Sequence, residues 1–203
     1  MAEISAKEVN DLRKQTGLGL MECKALLKEA GADFKKALLL AKERGVKLAQ
    51  NRSERAAKAG RIETYIHHDG KTGALVEVNC ETDFVARNEE FRTLCKNIAL
   101  QVVAANPVYV RREDLPAEAI DERKRIIQTE LKAATDPPAD PAAEAEKKLG
   151  QWFAEVALLD QPFVKDPSKS IRDMILEVNA RTGENVSIAR FARFLVGEVP
   201  LQL

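Results

Sequence analysis

The stretch Asn79-Cys80-Glu81-Thr82-Asp83-Phe84-Val85-Ala86-Arg87-Asn88 decides how this chain is read. Ahead of it, Ala74, Leu75, Val76 and Val78 form a run that alternates like a strand. After it, Phe91, Leu94, Cys95, Ile98 and Val102 recur at helical spacing, with Asn88 placed to cap that helix. Phe84 and Val85 are thus apolar residues in a connection, flanked by Glu81, Asp83 and Arg87. Connections carry function more often than the elements they join, so an aromatic beside a carboxylate here reads as a protein-binding tip. The alternative is that Phe84 folds back onto the local core. The residues alone leave both readings open.

Working outward, Ile62, Tyr65 and Ile66 face the strand-like run across His67-His68-Asp69-Gly70-Lys71-Thr72-Gly73, a hairpin with an Asp-Gly turn signal. The residues up to about 45 predict three short helices. Ser5 and Glu8 have capping-box spacing, with Val9 and Leu12 on the first apolar side. Gly17 breaks the pattern. The second helix, about Leu20 to Ala30, carries Met21, Ala25, Leu26 and Leu27 and stops at Gly31. Asp33 caps a third with Phe34, Ala37, Leu38 and Ala41 on one face, which Gly45 is expected to end. These stripes read as core, and the turn at Thr16-Gly17-Leu18-Gly19 as the exposed apolar feature.

Residues 46–60 predict a polar, partly helical linker. Between Lys35 and Arg61 lie nine basic residues and only two acids, Glu43 and Glu54. That excess could mark a patch for RNA or for an acidic protein surface. No aromatics are interleaved for stacking, which favours a solvated helix face.

Beyond Val102, Asn106-Pro107 closes the helix, Val108 to Val110 is extended, and a helical run follows from about Pro116 to Ala134. Thr135 to Pro141 holds three prolines and cannot continue it. A helix from about Ala142 to Leu159 then carries Leu149, Trp152, Phe153, Val156 and Leu159 on one side. The two runs predict a helical hairpin over about 116–159. Ser170 and Asp173 have capping-box spacing for a final helix that ends near Gly183. Val186 to Val196 predicts a last strand, with its alternation shifting at Ala189-Arg190, which most economically pairs with the hairpin. The fold class is α+β: a three-helix module over 1–45, a basic linker over 46–60, and an α+β core over 61–203 with a small antiparallel sheet.

Lys plus Arg and Asp plus Glu are both 32, so the chain has no global pull towards phosphate backbones, and no nucleic-acid partner is expected. There is no apolar run of membrane-spanning length and no apolar signal core at the start. Unclustered Cys23, Cys80 and Cys95 suit a reducing cytoplasm, which is the expected location. No phosphate-binding glycine loop, dinucleotide turn or zinc-protease helix occurs. The histidines are adjacent, His67 and His68, and a thiol enzyme would need one of them to activate Cys80 with no third orienting group evident. The cysteines lack metal-ligand spacing. No enzyme, metal or cofactor is expected, and by elimination the chain binds something.

Three blocks resemble the elongation factor Ts family. Leu12-Arg13-Lys14-Gln15-Thr16-Gly17-Leu18-Gly19-Leu20-Met21-Glu22-Cys23-Lys24-Ala25-Leu26 resembles its amino-terminal signature, and Glu77 to Asn88 its core signature. Leu159-Asp160-Gln161-Pro162-Phe163-Val164-Lys165-Asp166, with Phe191 to Gly197, resembles its carboxy-terminal part. The resemblance implies a guanine-nucleotide exchange factor for elongation factor Tu that does not itself bind nucleotide. It implies a first domain of the ubiquitin-associated type docking through Leu12, Arg13, Thr16, Gly17 and Met21. Thr82, Asp83, Phe84 and Val85 would form the tip that intrudes near the partner's magnesium and phosphate site. The chain is shorter than the family's long forms and holds one copy of the core unit, which implies a homodimer built on the sheet or the last strand.

Overall fold

The computed structural model describes residues 4–16, 18–53, 55–133 and 138–198, with backbone alone over 45–53. Three helices come first: α1 (Ala6–Thr16), α2 (Leu20–Glu29) and α3 (Phe34–Ser53). The expected capping box forms. The Ser5 amide donates to Glu8 Oε2 (2.9 Å) and the Glu8 amide to Ser5 Oγ (3.2 Å). The Lys36 amide likewise donates to Asp33 Oδ1 (3.0 Å) at the start of α3. Val9, Leu12, Leu18, Cys23, Leu26, Leu27, Ala30, Ala37 and Ala41 make one buried cluster between the three helices. Gly31, at φ +67°, lies just beyond the end of α2. Gly45 does not end α3, which runs on to Ser53. One interior glycine costs a helix only about 1 kcal/mol, less than the Lys47-Leu48-Ala49-Gln50 helix formers beyond it return by propagation.

The sheet is formed by β1 (Ala59–Ile66), β2 (Thr72–Cys80) and β5 (Ser187–Leu195), in the order β1-β2-β5. The chain reverses between β1 and β2 through a turn closed by the His67 amide on Thr72 O (2.8 Å), with Gly70 at φ +67°. The last strand pairs with the hairpin as expected. Ala74, Val76, Val78 and Cys80 point to the buried side of β2 and Leu75 to the open side. On β5 the alternation slips at Ala189-Arg190, both exposed.

Between these strands lie α4 (Asp83–Ala86), α5 (Glu89–Ala105), α6 (Ala117–Ala133), α7 (Pro141–Val156) and α8 (Ile171–Thr182). Asn88 caps α5, its Oδ1 accepting the Glu90 amide (2.9 Å). The helical hairpin forms from α6 against α7, tied by Lys148 Nζ to Glu130 Oε2 (2.8 Å). Its second helix ends at Val156 rather than Leu159; a 3-10 turn, Leu158–Asp160, takes over. A two-stranded ribbon, β3 (Pro162–Phe163) with β4 (Asp166–Ser170), was not foreseen. Its strands are too short to show a period. Buried Gln101 supports it, giving Nε2 to Gln161 Oε1 (3.0 Å) and Pro162 O (3.2 Å) and accepting the Val164 amide at Oε1 (2.9 Å).

By contact the chain divides into two compact units. The first comprises Met1–Ile62, Glu77–Cys95 and Asp173–Ile188, and the second Glu63–Val76, Lys96–Arg172 and Ala189–Leu203. The residues expected to meet a partner through the tip and the helical module all belong to the first unit.

Candidate partner-binding site

The connection after β2 is not irregular. It is the single helical turn α4, opened by Thr82 in an extended conformation, whose Oγ1 accepts the Val85 amide (3.4 Å). Over this one turn the first two residues, Asp83 and Phe84, face solvent and the next two, Val85 and Ala86, face the core. Phe84 is 83% exposed and Val85 only 4%. Phe84 therefore does not fold back onto the core. Val85, expected at the contact surface, is instead the anchor that seats the turn, with Ala86 also buried. Asp83 is exposed, and its carboxylate makes no hydrogen bond or ion pair among the described residues. An unsatisfied carboxylate beside an unpacked ring is free to engage a partner.

The base of the turn is held by residues far away in sequence. Glu184, just past α8, accepts the Glu81 amide (3.0 Å) and the Thr82 amide (3.0 Å) at Oε2, and the Thr82 hydroxyl (2.6 Å) at Oε1. Glu81 returns the contact, its Oε1 accepting the Asn185 amide (2.7 Å) and facing Arg55 Nη1 at 3.6 Å. Asn185 Nδ2 donates to Arg55 O (3.0 Å), and the Val186 amide to Asn179 Oδ1 (3.0 Å). Two loops thus exchange carboxylates. Sequence reasoning missed Glu184, Asn185 and Arg55, because their contacts join residues far apart in the chain, up to 130 positions, and leave no local pattern.

Cys80 lies beneath the turn, fully buried, its thiol donating to Thr82 O (3.2 Å). Burial, then the nearby Glu184 carboxylate, push the thiol up to about 11. A nucleophilic cysteine needs the opposite shift, so the thiol-enzyme alternative loses its nucleophile. Among the described residues no group of three His, Cys, Asp or Glu side chains could hold a metal ion. No helix among them is long and apolar enough to cross a membrane.

The helical module divides its expected docking residues in a similar way. Met21 is 76% exposed and Arg13 is exposed, whereas Leu12 is completely buried in the three-helix core. Thr16 is half-buried, its hydroxyl donating to Leu12 O (2.7 Å) and accepting the Leu18 amide (3.4 Å). Leu12 and Thr16 shape the turn; Arg13 and Met21 are what a partner could touch. Gly17 lies outside the described residues. Arg13 lines a groove of about 370 Å³ together with Asn10, Lys14 and Arg181.

A family model described as Elongation factor TS matches residues 22–198, which include the tip, both clamping loops and the last strand. Curated relatives called Elongation factor Ts match over nearly all of both chains. The one from Thermodesulfovibrio yellowstonii is 49% identical over 96% of this chain and 97% of its own. That from a Geobacter species is 47% identical over 96% and 90%. That from Heliobacterium modesticaldum is 43% identical over 96% and 91%. A match of this length, carried through the stretch that folds as a clamped and exposed turn, leaves one assignment: the chain belongs to the elongation factor Ts family.

Proposed function

We propose that this chain is a guanine-nucleotide exchange factor of translation elongation, which binds elongation factor Tu carrying GDP and promotes release of the nucleotide. The single observation that carries this reading is Phe84, an aromatic held almost wholly in solvent on a turn whose base is fixed. A ring in that position has no role in its own fold and stands to gain about 1.5–3 kcal/mol if a partner buries it. Asp83 anchors the same tip by accepting hydrogen bonds from partner amides or side chains. Insertion beside the partner's magnesium and phosphate site displaces the metal, and the diphosphate loses its main counter-charge. Linkage makes the effect reciprocal: returning nucleotide expels the factor. No proton transfer or nucleophile is required, so the chain acts as a binding protein rather than an enzyme.

The helical module docks on the partner's GTPase domain through Arg13 and Met21, in the manner of a ubiquitin-associated domain. The chain works in the cytoplasm as a homodimer. Support for the dimer is the open side of the sheet, where Ile66, Leu75, Phe194 and Val196 leave apolar surface around a cavity of about 580 Å³. Sedimentation equilibrium of the full chain tests it, and a monomer at micromolar concentration refutes it.

The direct test of function is release of fluorescent GDP from elongation factor Tu. Wild type accelerates release, and Asp83→Ala/Phe84→Ala binds through the helical module but largely fails to accelerate. Equal acceleration by both would remove the tip from the mechanism.

A further inference from the structure

Glu81 and Thr82 fall between β2 and α4, where neither a strand ladder nor the short turn supplies acceptors for their amides. The Glu184 carboxylate takes both, at 3.0 Å each, and the Thr82 hydroxyl at 2.6 Å. Three donors on one charged acceptor are stronger than neutral bonds and define a direction as well as a position. Thr82 is the residue from which α4 departs, so these bonds set where Phe84 points. A tip that enters a partner works only if its base does not yield under the load. Burial of Val85 and Ala86 seats the turn, and the Cys80 thiol on Thr82 O and the Asn185 amide on Glu81 Oε1 hold its base, but Glu184 is the one charged acceptor on which both of its backbone amides converge.

We propose that Glu184 is the positioning residue of nucleotide exchange, a carboxylate strut that aims the α4 turn so that Phe84 enters the partner, without itself reaching the nucleotide site. The proposal rests on the exchange reading above. It explains why a carboxylate stands here. A glutamine of equal volume keeps one oxygen for the two amides but carries no charge and turns an NH2 towards the Thr82 hydroxyl, so the two amide bonds lose their charge assistance and the third must reverse its direction. Aspartate is one methylene too short to span the same gap.

Glu184→Gln is the informative substitution. At saturating concentrations of the full chain, the maximal rate of GDP release from elongation factor Tu is expected to fall about tenfold, while the half-saturating concentration stays within about twofold. In a Phe84→Ala background the same substitution is expected to change the maximal rate by less than about twofold, because a positioning residue acts only through what it positions. Amide hydrogen exchange at Glu81 and Thr82 quickens at least about tenfold, with protection along α5 unchanged. Should Glu184→Gln fold poorly, Glu184→Ala removes the same acceptor while leaving the Thr82 cap of α4 in place, and a loss of at least severalfold that is non-additive with Phe84→Ala is expected. Unchanged release in Glu184→Gln, an equal loss in both backgrounds, or amides that stay protected would each overturn the strut. Wild type that fails to release GDP at all would instead overturn the exchange reading, and the strut with it.

Discussion

Phe84 and Val85 are adjacent apolar residues whose truncations should have opposite consequences. Val85 is 4% exposed, so Val85→Ala withdraws two buried methyl groups and leaves a small cavity, costing about 1.5–3 kcal/mol of stability. Phe84 is 83% exposed, so Phe84→Ala removes a larger side chain yet should change stability by no more than about 0.5 kcal/mol. Exchange reverses the order. If a partner buries the ring, its loss forfeits about 1.5–3 kcal/mol, or roughly ten- to hundredfold in GDP release. Val85→Ala, measured where it remains fully folded, should stay within severalfold of wild type because the ring and Asp83 are still presented. Equilibrium urea unfolding gives the first comparison and fluorescent GDP release the second. If Phe84→Ala destabilises the chain as much as Val85→Ala does, the ring is packed against its own fold and the wedge reasoning fails. If it changes neither quantity, the ring is not the group that acts.

Three other outcomes follow from contacts within each unit. The Cys80 thiol is pushed up from 9.0 to about 11, so the folded chain keeps a proton that the unfolded chain releases above about pH 9. Stability present below pH 9 should then decline between pH 9 and 11 by about 2–3 kcal/mol, and Cys80→Ala should flatten that part of the curve in pH-dependent urea unfolding. At Gly60, with φ +154°, a Cβ would sit 2.4 Å from Val78 O; Gly60→Ala is expected to cost about 1–3 kcal/mol by the same assay. Gln101→Ala leaves the Val164 amide and the Gln161 side chain short of partners, at about 1–3 kcal/mol for each orphaned group, and hydrogen exchange at Val164 should quicken.

By itself the sequence determined whatever acts over one helical turn or one strand pair. The Ser5–Glu8 capping box, the Asp33 and Asn88 caps and the turn at Gly70 rest on local spacings, and all formed; of the core stripes Met21 and Ala25 face solvent instead, and Leu18, expected in an exposed turn, is buried. The quoted core stretch also announced the family. Gly45 misled, because a local breaker signal is only about 1 kcal/mol and a longer helix outweighed it. Which of Phe84 and Val85 faces solvent was undecidable in sequence: four residues are too few to carry a period, so the packing beneath the turn chose. The strut was equally invisible. Glu81 and Glu184 are brought together only by the return of the chain from α8 into β5, and no spacing along the sequence encodes that meeting. Local spacing marked the turn; the tertiary fold set Phe84 in solvent and brought the Glu184 carboxylate to its base.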